Sequence, residues 1–185
     1  MNTMNTLRIL TCTVAFLCTA SAAQDGPSPA AARLAGLINA YRAELGLPAI
    51  SVSRSLTLVA EVHARDLETS SRPNQCNMHS WSNAGNWSAC CYTSDHAQAK
   101  CMWAKPREIT GRIYRGDGFE ISHGGSGGVT PEGALRSWKS SQAHHEVIIN
   151  EGIWSTSQWR AMGVAVSNHY ALVWFGEMTD SANSQ

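Results

Sequence analysis

The chain has 185 residues, 43% of them hydrophobic and 15% charged, and its 14 Lys and Arg balance its 14 Asp and Glu. Soluble domains carry about 25% charged residues, so this chain is under-charged with ordinary apolar content, a combination that excludes intrinsic disorder. Seven Trp, four Tyr and three Phe supply large side chains to bury, and at about 150 residues per domain the length points to one domain. No run of Lys and Arg offers the clustered charge that phosphate neutralisation needs, so nucleic acid is excluded as a general partner.

The first 23 residues hold one charged side chain, Arg8, followed by the apolar run Ile9 to Cys18 and the small residues Thr19 to Ala23. This is the order of a secretory signal, with cleavage after Ala22 or Ala23. The apolar run is shorter than the roughly 20 residues a membrane span needs. The sequence is therefore read as a signal peptide over 1–23, a short linker over 24–32, a single domain over 33–178 and a flexible tail over 179–185. Removing the signal removes Cys12 and Cys18, which leaves Cys76, Cys90, Cys91 and Cys101 within 26 residues. An even number of cysteines in an exported chain is a disulfide framework. Joining the neighbours Cys90 and Cys91 to each other would strain a local ring, so each is expected to pair outward, with Cys76 or Cys101. The Cys-x2-Cys spacing of a zinc site is missing.

In chain order, Leu34, Leu37, Ile38, Tyr41 and Leu45 recur at helical spacing and predict a helix stopped by Gly46 and Pro48. Ser53 or Ser55 caps a second helix with the inward stripe Leu56, Val59, Ala60, His63 and Leu67. From Ser70 to Arg107 the periodicity is lost, and Trp81, Trp87 and Trp103 mix with all four mature cysteines. A loop this long needs a fixative, which disulfides supply. Phe119 to Ser122 reads as a short strand and Gly124 to Gly128 as a flexible turn. Thr130 and Pro131 open a helix carrying Ala134, Leu135 and Trp138 inward. Met162 to Val166 and Tyr170 to Phe175, separated by Ser-Asn-His, read as a β-hairpin. The order helix, helix, cross-linked loop, strand, helix, hairpin favours a mixed or antiparallel sheet covered by helices.

Three segments gather residues able to do chemistry: Asn77-Met78-His79-Ser80, Gly118-Phe119-Glu120-Ile121, and Trp138 to His145. Two imidazoles and a carboxylate are raw material for a divalent metal site or for acid/base work. No His-Glu-x-x-His pair, Gly-x-Ser-x-Gly elbow or phosphate loop accompanies them. His145 and Glu146 adjoin the third segment, and Asp95-His96 is a further candidate to line the same site. His63, on the second helix, reads as a packed or capping residue, and the glycines after Glu120 as a mobile rim.

The order of these motifs is informative. Ile38-Asn39-Ala40-Tyr41-Arg42-Ala43-Glu44-Leu45-Gly46-Leu47-Pro48 is followed by His79-Ser80 and then by Gly118-Phe119-Glu120-Ile121, which has an inserted Phe and lacks the Asn of a Gly-Glu-Asn-Ile element. Trp138, Ser141, Ala143-His144-His145 and Val147-Ile148-Ile149-Asn150 come next. Met162-Gly163-Val164-Ala165-Val166 and Val173-Trp174-Phe175-Gly176 close the series. In this order the chain resembles the CAP or SCP-like superfamily (cysteine-rich secretory proteins, antigen 5, pathogenesis-related 1) in its bacterial form, from about Leu34 to Phe175. The resemblance implies an α+β fold, a three-layer α-β-α sandwich with a small, mostly antiparallel central sheet and a disulfide-stapled loop. It also implies a cleft in which His79 and His144 are the imidazoles, able to hold Zn2+ or another divalent cation, and Glu120 is the first carboxylate. The second carboxylate position of eukaryotic members holds Ser141. The implied function is secreted or periplasmic binding of a lipid, glycan or protein ligand by a monomer without a membrane span. The alternative is a metal-assisted hydrolase using Glu120 and the two His.

Overall fold

The computed structural model describes residues 26–184; the signal peptide expected over 1–23 lies outside them. Helix α1 (Pro29–Glu44) starts inside the stretch expected to be linker, because Ser28 caps it by accepting a bond from Ala31 N and Pro29 occupies its first turn. Leu45, expected on the inward face, follows the helix end and is 47% exposed. The buried position is taken by Arg42, whose guanidinium donates to Pro48 O at 3.0 Å, Ile148 O at 2.5 Å and Asn150 Oδ1 at 2.7 Å. These bonds satisfy carbonyl groups that a buried helix end would otherwise leave unpaired.

Helix α2 (Arg54–Thr69) is capped by Ser53, whose hydroxyl accepts from Leu56 N at 2.9 Å. Its stripe Leu56, Val59, Ala60, His63 and Leu67 is buried as the periodicity requires. Two five-residue helices, α3 (Ala99–Trp103) and α4 (Lys105–Ile109), end the cross-linked segment, and α3 carries Cys101. Strand β1 (Phe119–Gly124), helix α5 (Pro131–Ser140), helix α6 (Gln142–Ile149), strand β2 (Ala161–Val166) and strand β3 (Tyr170–Gly176) complete the frame. Helices α3, α4 and α6 are additions to the expected order; five to eight residues are too few for an apolar period to declare itself.

The three strands form one antiparallel sheet in the order β1-β3-β2, and Val52 adds an isolated parallel bridge to Met162. Alternation along β2 and β3 separates two cores. Met162, Val164, Ala171, Val173 and Phe175 face helices α1, α5 and α6. Ala161, Ala165, Leu172 and Trp174 face α2 and the cross-linked loop. The result is a three-layer sandwich, and each fully buried large apolar side chain contributes about 1.5–3 kcal/mol. Gly163 is what lets α2 lie on the sheet, since a Cβ there would run into the α2 backbone at Leu56 and Thr57.

The disulfides are Cys76–Cys91 and Cys90–Cys101, so both neighbours pair outward. The tail expected to be flexible is tied down instead. Buried Asp180 accepts from Ser53 Oγ at 2.7 Å, Ser55 N at 2.8 Å and Ser55 Oγ at 2.8 Å, and a 3₁₀ turn runs over Ser181–Ser184. Three donors replace the water that a buried carboxylate loses.

Candidate functional site

Strand β1 lies at the edge of the sheet, and Glu120, second in it, pairs in register with Trp174 on the face towards α2. Its carboxylate is completely buried between two imidazoles: His63 Nδ1 lies 2.5 Å from Oε2 and His79 Nδ1 lies 2.8 Å from Oε1. His63 comes from the inward stripe of α2, where Trp81 stacks on it at 4.3 Å between centroids and Trp174 meets it edge-on. Its Nε2 contacts Ser80 O at 3.0 Å.

The proton positions follow from these partners. A carbonyl only accepts, so His63 Nε2 carries a hydrogen, and the Nδ1···Oε2 contact shares one further proton. Burial pushes the Glu120 carboxyl up, but the charge and hydrogen bond of His63, and after them those of His79, outweigh it and hold the group below the ordinary carboxylate range. Glu120 is therefore the anion, and both rings turn an Nδ1–H towards it. His79 is left with Nε2 directed away from the carboxylate, on a side chain that is 18% exposed.

His79 is placed by the cross-linked loop. Cys76, three residues before it, is bonded to Cys91, and Asn77 Oδ1 accepts from His79 N at 3.0 Å. Ser80 Oγ takes the Tyr92 N–H at 2.8 Å, and the Tyr92 ring meets His79 edge-on. The Tyr92 hydroxyl bonds His96 Nδ1 at 2.7 Å, so His96 reaches the site through Tyr92. Asp95 instead closes its own turn, accepting from Thr93 Oγ1 at 2.5 Å and Ala97 N at 3.1 Å.

His144, on α6, makes no hydrogen bond to Glu120 or His79; its Nδ1 lies 2.8 Å from Ser141 Oγ. Burial lowers its pKa, and the neighbouring His79 and His123 lower it further. Ser141 thus occupies the second carboxylate position as the partner of an imidazole. His145 and Glu146 turn elsewhere: His145 Nε2 bonds the Tyr41 hydroxyl at 2.7 Å, and Glu146 Oε1 accepts from Gln142 Nε2 at 2.8 Å. The expected glycine rim is fastened to the hairpin turn, with Gly125 N donating to His169 O and Val129 N to Asn168 O, both at 3.0 Å.

Sequence reasoning overlooked the part of His63 and the presence of His123. His63 stands as a lone imidazole inside the apolar stripe Leu56, Val59, Ala60 and Leu67, a position that reads as packing. His123, on β1 three residues after Glu120, belongs to no motif.

The residues present meet the demands of a metal only in part. Among the described residues, no three His, Cys, Asp or Glu side chains are grouped to hold an ion. Both Glu120 oxygens are engaged by imidazoles, which makes the carboxylate an orienting partner of His79, as in outer shells of metal sites. His79 and His144 each keep Nε2 uncommitted, so the chain offers two imidazole ligands, fewer than the three protein ligands of a catalytic zinc.

Fold and site together define an α-β-α sandwich carrying a histidine–carboxylate site beside a disulfide-stapled loop. The sequence profile of the cysteine-rich secretory protein family, CAP, matches residues 35–175, and the chain belongs to this family. No curated protein matches the sequence significantly. Among solved structures, an extracellular protein containing an SCP domain from Bacillus anthracis shares 17% identity at a TM-score of 0.55, over 80% of this chain and 40% of that one. An outer surface protein from Borrelia burgdorferi shares 16% at 0.51, over 79% and 90% of the two chains. A cysteine-rich secretory protein from Staphylococcus aureus shares 14% at 0.52, over 82% and 41%. The chain thus spans about two fifths of the Bacillus and Staphylococcus proteins, and these likenesses establish the fold. No helix among the described residues is long and apolar enough to cross a membrane.

Proposed function

We propose that this CAP-domain chain is an exported binding protein whose ligand contacts His79 and His144, with Glu120 and His63 beneath them as a rigid support. The observation that carries this reading is the fully buried Glu120, gripped by His63 and His79 with nothing left over for solvent. A buried ion pair is weak evidence for stability, because desolvation offsets most of its attraction. What this one does is fix the ring of His79 and the tautomer in which Nε2 accepts. A ligand meeting that nitrogen presents a donor, such as a hydroxyl of a glycan or of a lipid headgroup, or a cation.

For a divalent ion such as Zn2+, His79 and His144 are the proposed ligands, with the remaining positions left to water or to the bound molecule. A bound zinc supplies a Lewis acid and a water of pKa about 7. The chain's own residues then orient and hold protons: Glu120 keeps Nδ1 of His79 protonated, and Ser141 orients His144. Zinc titration of wild type and of the His79→Ala, His144→Ala double variant tests the assignment. Binding at least tenfold weaker in the double variant is expected, and equal binding removes these residues from the site.

The second reading, a metal-assisted hydrolase, is favoured by one feature, the Ser141 hydroxyl against His144 Nδ1 at 2.8 Å. Turnover of ester, peptide or glycan panels that disappears in Glu120→Gln supports it. Binding without turnover supports the first reading.

A further inference from the structure

Away from this site, the segment joining α4 to β1 and the segment after β3 flank an open recess of about 610 Å³ lined by Arg112, Ile113, Arg115, Met178, Thr179 and Ser181. We propose that this recess is a docking site for an acidic polypeptide segment carrying an apolar side chain between its carboxylates.

The first support is charge. Arg112 and Arg115 are exposed and no group among the described residues engages their guanidiniums. Of the acidic groups close by, Asp117 is paired with Arg107 and Asp180 with Ser53 and Ser55, while Glu177, exposed beside Met178, accepts a bond from Gln158 N at 3.4 Å. The chain as a whole is neutral, so attraction here comes from this pair and not from a general field. Guanidinium forks match carboxylates in two-bond geometry.

The second support is the apolar seat. Ile113 is 56% and Met178 46% exposed, two of the few large apolar side chains left open, and both line the same recess as the arginines. A concave wall accepts a side chain from a partner segment, which favours a peptide over the flat face of a lipid bilayer.

The third support is rigidity. Gly111 and Arg112 stand consecutively in the left-handed region, at φ +57° and +68°, an arrangement a non-glycine residue rarely adopts. Tyr114 pins the turn: it is buried, its hydroxyl donates to Met178 O at 2.9 Å, and its N–H bonds Thr110 Oγ1 at 3.1 Å. Ser181 Oγ also donates to Ile113 O at 3.3 Å. Both walls are therefore fixed to each other before any partner arrives, which lowers the ordering penalty of binding.

The test uses a fluorescein-labelled peptide, Asp-Leu-Glu-Leu-Asp, and its neutral counterpart Asn-Leu-Gln-Leu-Asn, followed by anisotropy on the full mature chain. The acidic peptide is expected to bind, to weaken with added salt, and to lose at least tenfold in affinity in Arg112→Glu, Arg115→Glu. The same loss is expected in Arg112→Gln, Arg115→Gln, at an unchanged melting temperature. Ile113→Ala is expected to weaken binding a few-fold, and His79→Ala to leave it unaltered, which separates this proposal from the reading of the histidine site. Equal binding of the neutral peptide, undiminished binding by both arginine variants, or binding to phosphatidylglycerol vesicles without binding to the peptide would each overturn it. So would a dimer of the chain that the arginine variants dissolve while the peptide stays free.

Discussion

In the sheet and the helix laid on it, Leu56, Val59, Ala60, Leu172 and Trp174 are shut away from solvent and held by apolar burial. In the segment from residue 70 to 107, Trp81, Tyr92 and Met102 join the same core, but with little helix or sheet the segment also relies on two disulfides, the Trp81–Cys90 backbone pair, and buried charges each given several partners. The segment's Ser82 N at 2.9 Å, Ser82 Oγ and Arg72 Nη2 at 2.6 Å all donate to Asp66 of α2, while buried Lys105 donates to Ser88 O and to Glu108. The contrast teaches how the site is divided. His63 and Glu120 belong to the frame, and His79 is brought to them by the stapled segment, so the His79–Glu120 bond is a seam between two differently stabilised regions.

Damage to the frame should abolish both regions, and damage to the staple only one. Trp174→Ala, at a fully buried position on the central strand, is expected to cost about 3–5 kcal/mol and to shift the urea midpoint of the whole domain. His63→Ala breaks a buried pair and leaves Glu120 short of a partner, at a cost of about 3–5 kcal/mol. It should also free the His79 ring, which chemical shifts of its side chain report. If His63→Ala is neutral, the buried carboxylate is not held as described.

Replacing Cys76 and Cys91 by Ser opens a link of sequence separation 15, worth about 3 kcal/mol in the chain-entropy picture. Hydrogen exchange should then rise over residues 70–95 while amides of β2 and β3 stay protected. Uniform loss of protection would erase the distinction between the two regions.

The smallest effect concerns pH. Glu68 is held down to about 2, chiefly by the hydrogen bond of His169, and ties the end of α2 to the hairpin turn. A carboxyl whose pKa is lowered by folding contributes stability above its unfolded value of about 4.3 and loses it as pH falls towards the folded value. Wild type should therefore lose a small increment of melting temperature between about pH 4.3 and pH 2 that Glu68→Gln lacks. Parallel curves for the two proteins would remove this tie.

The frame was legible in the sequence because its elements repeat. Leu34 and Ile38 recur at helical spacing, and the β2–β3 hairpin alternates around Ser167, Asn168 and His169. Helices α3, α4 and α6 were hidden by shortness, and Asp180, a lone acid near the chain end, gave no sign that two serines at the α2 start would anchor it. At the site, His79 and Glu120 stand in recognisable motifs. His63 was masked by good company, since a position in an apolar stripe reads as packing, and only the fold shows that it packs against a carboxylate.

The most direct measurement is the long-range ¹H–¹⁵N spectrum of the histidine rings near neutral pH. In wild type, both rings should carry a hydrogen on Nδ1, the nitrogen facing Glu120, with Nε2 of His79 shifting when a ligand or zinc is added, and Glu120→Gln should change both rings. A His79 ring protonated at Nε2 alone, or rings indifferent to Glu120→Gln, would contradict the arrangement.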